Sequence, residues 1–210
     1  MTRSLRVVVL ALALVAGAVA PARAGAPTDQ VREYTDAVLK VLEDPALKAE
    51  DKKPERRAAV RKIATEVFDV QETARRALGP HWQQRTPPQR EEFVHLFAEL
   101  LEQTYISKID LFGGERLRFT EEKVDGDHAI VRAKVITRQA TEVPVEARLL
   151  RKGDRWLIYD ILIENISLIG NYRAQFDRII RTQSYEELVK RLRTRGEFLR
   201  ESERPRRPER

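Results

Sequence analysis

From Thr28 onward, Val31, Tyr34, Val38, Val41 and Leu42 recur every third or fourth residue and Pro45 follows, which predicts an amphipathic helix to about Glu43. Lys48 to Arg57 reads as a charged connection. Val60, Ile63, Ala64, Val67 and Phe68 mark a second helix, and Asp69 is placed to cap a short third one through Ala77 and Leu78, stopped by Gly79-Pro80. Thr86-Pro87-Pro88-Gln89 combines an N-cap, proline at the first helical position and glutamine three residues after the cap. The helix it opens carries one continuous stripe, Phe93, Leu96, Phe97, Leu100, Leu101, Tyr105 and Ile109, ending near Gly113-Gly114.

After Gly114 the period changes to two, which places an antiparallel sheet in the middle of the chain. Leu117 and Phe119 alternate with Arg118 and Thr120, and Asp125-Gly126 is a hairpin turn. Ala129, Val131, Ala133 and Val135 then alternate with Arg132 and Lys134, as Val143, Val145, Ala147 and Leu149 do with Glu146 and Arg148. Lys152-Gly153-Asp154 makes the next turn, and Trp156 to Ile163 is apolar on both faces apart from Asp160, so that strand is expected centrally, covered on both sides. Ser167 caps a helix with Leu168, Ile169, Tyr172, Phe176, Ile179 and Ile180 on one face, and Ser184 opens another with Tyr185, Leu188, Val189 and Leu192. No internal repeat is found.

Composition adds a leader and removes several chemistries. The 210 residues are 42% hydrophobic, but 17 of these roughly 88 apolar residues lie in the first 24, so the rest of the chain is more polar than the total suggests. Met1 to Arg6 is a short positive region, Val7 to Ala20 is uncharged, and Ala22-Arg23-Ala24 offers small residues where a signal peptidase reads. The uncharged run falls short of the ~20 residues of a membrane span. Residues 1–24 therefore read as a secretory signal peptide, 25–199 as one domain and 200–210 as a disordered tail of Pro, Arg and Glu. The net charge of +6 sits mostly at these ends, which argues against a nucleic-acid binder. There is no cysteine, which removes a lipid-anchored start, disulfides, thiol catalysis and thiolate metal sites. The expected compartment is the periplasm.

No GxSxG elbow, Gly-rich phosphate loop or HExxH occurs, and His81, His95 and His128 have no zinc-like spacing, so no metal or cofactor is expected. His95 reads as solvated, and His81 beside Trp82 as a loop pair. Asp160 is the one candidate for a buried acid, with a hydrogen-bonded structural carboxylate as the plainer reading. The inward strand positions mix small Ala129, Ala133 and Ala147 with Val131, Val135, Val145, Leu149, Ile161 and Ile163. Such a mix either receives bulky helix side chains such as Phe93, Phe97 and Phe176 or leaves room for an apolar guest.

Several phrases can then be matched in order and spacing. Ala77-Leu78-Gly79, Trp82, Thr86-Pro87 with Gln89-Arg90 and Phe93, Thr104-Tyr105, Trp156 to Asp160, Glu164, Ser167-Leu168, Asn171-Tyr172-Arg173 and Gln175-Phe176 resemble the MlaC family, the toluene-tolerance periplasmic proteins. The likeness covers about Thr28 to Leu192. Departures are Val70, where members often have Phe, and Asn165, where Gly is usual. The resemblance implies an α+β fold, a twisted antiparallel sheet of about four strands covered by helices, NTF2-like or cystatin-like with added helices. It implies a monomeric periplasmic phospholipid carrier, working in lipid asymmetry between an outer-membrane lipoprotein and porin complex and an inner-membrane ABC transporter with an MCE-domain subunit. The expected lining is Leu100, Leu101 and Tyr105, then Val131, Ala133, Val135, Val145, Ala147, Leu149, Tyr159, Ile161 and Ile163, and Leu168, Ile169, Tyr172 and Phe176. Two rivals stand beside it: a small secreted NTF2-like enzyme using Asp160 with Tyr105 or Tyr159 as acid and base, and a structural interaction module with filled apolar faces.

Overall fold

The structure, a computed structural model, describes residues 26–194. The signal-peptide and tail expectations, and residues 195–199, lie outside the described residues. Helices α1 (Pro27–Glu43), α2 (Lys53–Val67), α3 (Val70–Leu78) and α4 (Pro87–Tyr105) come first. Strands β1 (Arg116–Asp125), β2 (His128–Ile136), β3 (Glu142–Lys152), β4 (Arg155–Ile163) and β5 (Ile166–Ser167) follow, then α5 (Leu168–Thr182) and α6 (Tyr185–Thr194). Among the described residues, no helix is long and apolar enough to cross a membrane.

The helix starts follow local chemistry. Asp69 accepts from the Glu72 N–H at 3.0 Å, Ser167 from Gly170 at 2.7 Å and Ser184 from Glu187 at 3.1 Å. Thr86 and Gln89 form the reciprocal capping box ahead of two prolines, satisfying donors that the first helical turn leaves unpaired. The stripe expected to continue to Ile109 does so in two conformations: α4 ends at Tyr105, and Ile106–Leu111 tightens into a 3₁₀ segment.

The sheet is antiparallel in the order β1-β2-β3-β4-β5. It holds five strands where about four were expected, because two residues beyond Ile163 turn back and pair with it. That turn, Glu164-Asn165, has φ of 51° and 66°. Both residues of a two-residue hairpin of this hand need φ above zero, which asparagine tolerates and glutamate resists. Bulges interrupt the register between Phe119 and Glu121 and between Arg148 and Leu149. Strand β4 is covered on both faces as expected, with Trp156 and Ile158 buried on one side and Asp160 and Leu162 on the other, yet its last residue, Ile163, is 53% exposed.

Two hydrophobic cores share the domain. One joins α1 and α2 to the inner sheet face through Val31, Val67, Ala129, Val131, Leu149, Trp156 and Ile158. The other is helical and joins α3, α4, α5 and α6. Phe93, Phe97, Tyr172 and Phe176 meet there edge to face at centroid distances of 5.1 to 5.6 Å, the geometry that the ring quadrupole favours. The α4 stripe thus packs on helices and does not cover the sheet. Periodicity fixes which side of a helix is apolar and leaves its partner open. On the opposite sheet face, Arg118 and Lys134 pair with Glu142, Arg132 with Glu121 and Glu146, and Arg148 with Glu146.

Candidate functional site

The pairing register assembles the inner face row by row. Ala129 stands opposite Leu149, and Leu149 opposite Ile158; Val131, Ala147 and Ile161 form the next row, Phe119, Ala133, Val145 and Ile163 the next, and Leu117, Val135 and Val143 the last. The side-chain period of two puts all of them on one side. Cover is uneven along this face. Ala129, Val131 and Leu149 are buried under α1 and α2, whereas Leu117, Val135, Val143, Val145 and Ile161 are half-buried and Ile163 is exposed. Strands whose apolar side chains stay half-open mark a face that the helices among the described residues leave partly uncovered.

The 3₁₀ segment Ile106–Leu111 continues α4 and leads through Gly113-Gly114 into β1, where Leu117 stands in the last row. Its Asp110 is held by α2: the guanidinium of Arg56 donates to the carboxylate at 2.7 Å and Nε of Arg57 at 3.0 Å. Two residues past the segment, a side chain on Gly113 would meet Arg138 of the β2–β3 turn. Ile106, Ile109 and Phe112 are half-buried and Leu111 is 75% exposed. Burial raises the Asp110 carboxyl, but the hydrogen bonds and charges of Arg56 and Arg57 together outweigh it and hold the group below the usual carboxylate range.

The expected lining residues divide in two. Val131, Ala133, Val135, Val145, Ala147, Leu149, Ile161 and Ile163 share the inner face, with Leu149 and Val131 at its filled end. Leu100, Ile169, Tyr172 and Phe176 are instead side chains of the filled helical core, and Leu101 and Leu168 pack against it. Tyr159 falls at the β4 bulge, buried beneath the guanidinium of Arg76 at 3.8 Å, and belongs to the α3 side of the sheet. Tyr105, at the end of α4, is 40% exposed and bonds through its hydroxyl to Tyr172; burial, then that contact, pushes its phenol above the ordinary range. The same inner face also carries Leu117, Phe119 and Val143, which the expected lining left out although their alternation placed them there. Within Ile106–Leu111 the expected stripe named only Ile109, because the 3₁₀ turn departs from the helical period.

Asp160 is occupied structurally. It faces away from the apolar rows, accepting the Ser167 hydroxyl at 2.6 Å and the Ile169 N–H at 3.1 Å, with Arg148 3.9 Å away. His81 binds Asp177 at 2.8 Å and ties the turn after α3 to α5; His95 is exposed on α4. Two shallow concavities lie between α4 and α6 and between α3 and α4, both on the helical half. Among the described residues, no cluster of His, Asp and Glu is arranged to hold a metal ion.

An intermembrane phospholipid transport system binding protein, MlaC, of Haemophilus influenzae is 23% identical over 141 residues, which cover 65% of this chain and 66% of that one, so the chain spans just under two thirds of that relative's length. The solved structure of a phospholipid-binding protein from Ralstonia solanacearum, in complex with a phospholipid, superposes with a TM-score of 0.71 at 24% identity, covering 83% of this chain and 99% of that one. That likeness establishes the α+β fold. The family described as MlaC protein matches residues 32–194, nearly the whole described domain, and the chain belongs to it.

Proposed function

We propose that this chain is a periplasmic phospholipid carrier that lays the acyl chains of a glycerophospholipid on the uncovered half of the inner sheet face. The observation that carries the reading is the gradient across that face, from Leu149, fully buried, to Val135 and Val145, half-open, and Ile163, exposed. The small side chains of Ala133 and Ala147 keep the floor low where a chain would lie. The names of the two relatives, one a phospholipid transport binding protein and one a phospholipid-binding protein, support the ligand class.

The physics of the cargo explains the design. At ~0.8 kcal/mol per buried methylene, two chains of roughly 16 carbons represent over ~20 kcal/mol of transfer from water, so an unsheathed path is closed. A sheath that held lipid far more tightly than a bilayer does would never release it. Affinity near that of the bilayer leaves direction to the partners, which in this reading are an outer-membrane lipoprotein and porin complex and an inner-membrane ABC transporter with an MCE-domain subunit. The polar head stays at the rim in this reading.

Mass spectrometry of an organic extract of the purified protein tests the reading. Glycerophospholipid in stoichiometric amount is expected. A protein that yields none, and after delipidation takes up none from phospholipid vesicles, is not a carrier.

A further inference from the structure

One apolar row crosses the whole sheet. Phe119 on β1, Ala133 on β2, Val145 on β3, Ile163 on β4 and Ile166 on β5 stand opposite one another in turn. Directly opposed residues of antiparallel strands share a side, so Ile166 extends the inner face by one strand beyond the lining described above. Exposure rises along the row, from Ala133, buried, through Val145, half-buried, to Ile163 at 53% and Ile166 at 66%.

The two ends of the row differ in chemistry. At the β1 edge, the guanidinium of Arg32 on α1 lies 5.0 Å from the centroid of the Phe119 ring. The neighbouring row, Ile161, Ala147 and Val131, ends at the same edge on Glu122, whose carboxylate accepts the Thr28 N–H at 2.8 Å. An acyl chain laid against these charges would strip their water, so both rows are closed to it where α1 meets β1. Beyond Val135 and Val143 comes the polar β2–β3 turn, in which the Thr141 N–H donates to the Thr137 hydroxyl at 3.2 Å. At the β5 edge the row ends on two isoleucines open to solvent.

That end is fastened in place. The turn Glu164-Asn165 takes positive φ at both residues, which glutamate resists, and it brings Ile166 back beside Ile163. The Glu164 N–H donates to the Pro144 carbonyl at 2.9 Å and the Ser167 hydroxyl to Asp160 at 2.6 Å, so the chain is tied on both flanks of Ile166. A strained turn held on both sides to present an unburied β-branched side chain costs stability and returns little by burial, which points to a use outside the folded chain.

We infer that acyl chains pass on and off the inner face across the β5 edge, with Ile163 and Ile166 the last side chains they touch. No element has to move, because the row already lies open from Ile166 inward to Val145. The inference rests on the carrier reading and adds to it a route and a further lipid-contacting residue, Ile166. A residue on the route changes the barrier to loading and unloading alike, so it alters the rate of transfer more than the amount of lipid held.

Transfer of a fluorescent phospholipid between phosphatidylcholine vesicles, which carry no net charge, is measured for the native protein, Ile166→Glu, Ile166→Leu and Val124→Glu. Val124 is the control: it is a β-branched residue on the other edge strand, 49% exposed, in the row of Ala129 and Leu149 that α1 and α2 cover. Ile166→Glu, with native circular dichroism, is expected to slow transfer about tenfold or more while the lipid extracted per molecule stays near native. Ile166→Leu keeps the native rate, and Val124→Glu stays within about twofold of it. An Ile166→Glu protein that transfers at the native rate, or is slowed no more than Val124→Glu, overturns the route and leaves the carrier intact. If the native protein neither holds nor transfers lipid, the carrier reading fails and the route with it. The chain has no cysteine, so a bimane can also be attached singly to Ile166→Cys or Val124→Cys. Phospholipid brominated along its acyl chains is expected to quench the label at 166 and not at 124; no quenching at 166, or equal quenching at both, overturns the route.

Discussion

Asp160 shows what a single buried carboxylate does when it is not a catalyst. Both oxygens are engaged, one by the Ser167 hydroxyl and one by the Ile169 N–H, so the group fastens the start of α5 to strand β4. Replacing it with alanine leaves two buried donors without an acceptor, which costs about 1 to 3 kcal/mol each at most and is partly relieved by water. Asp160→Ala is therefore expected to lower the urea midpoint by an amount worth ~2 kcal/mol while the protein refolded at low temperature keeps its lipid. Loss of lipid at full stability would place the carboxylate at the ligand instead. The sequence singled out this residue because a lone charge in an apolar strand is conspicuous. It did not name the partner, since nothing along the chain says that a serine seven residues on, across a tight turn, comes back within 2.6 Å. The caps at Asp69, Thr86, Ser167 and Ser184 were fully legible because a cap is satisfied within three residues of itself.

At the scale of elements, legibility follows the range of the interaction. Strand alternation gave the inner face correctly, since neighbours in an antiparallel sheet must share a side. The α4 stripe gave a correct apolar side and the wrong neighbour, because an apolar face of Phe93, Phe97 and Leu100 fits α5 and α6 as well as it fits a sheet. The consequence is a pair of opposite mutational outcomes. Phe97→Ala opens a cavity in the helical core and should cost ~3 to 5 kcal/mol, with lipid load per folded molecule unchanged. Val145→Trp adds bulk to a half-open row, so lipid-free stability should hold or rise while bound phospholipid falls sharply. Denaturation midpoints and extracted lipid, measured on both proteins, distinguish the two sites; a Val145→Trp protein that is destabilised by overpacking and keeps its full load would show the row to be filled core.

For the whole molecule, charge sets the conditions under which the assembly holds. The carboxyls of Asp110, Glu72 and Glu146 each sit below the ordinary range: burial raises each one, but arginine hydrogen bonds and charges outweigh it. A carboxylate with a depressed folded pKa contributes stability that is complete above its unfolded value of roughly 4 and is lost as pH falls through the folded value. The urea midpoint is expected to be flat above about pH 5 and to fall below about pH 4, with a shallower acid slope in Asp110→Asn. A protein whose midpoint rises on acidification would contradict these pairings.

The central claim is that acyl chains lie on the open half of the sheet face and not within the helical core. Intermolecular nuclear Overhauser effects on methyl-labelled protein carrying bound phospholipid test it most directly. The account predicts contacts from acyl methylenes to the methyl groups of Val135, Val145, Ile161 and Ile163, and none to Leu188 and Leu192, which are fully enclosed between α4, α5 and α6. Acyl contacts confined to Leu188 and Leu192, with the sheet methyls silent, would contradict it.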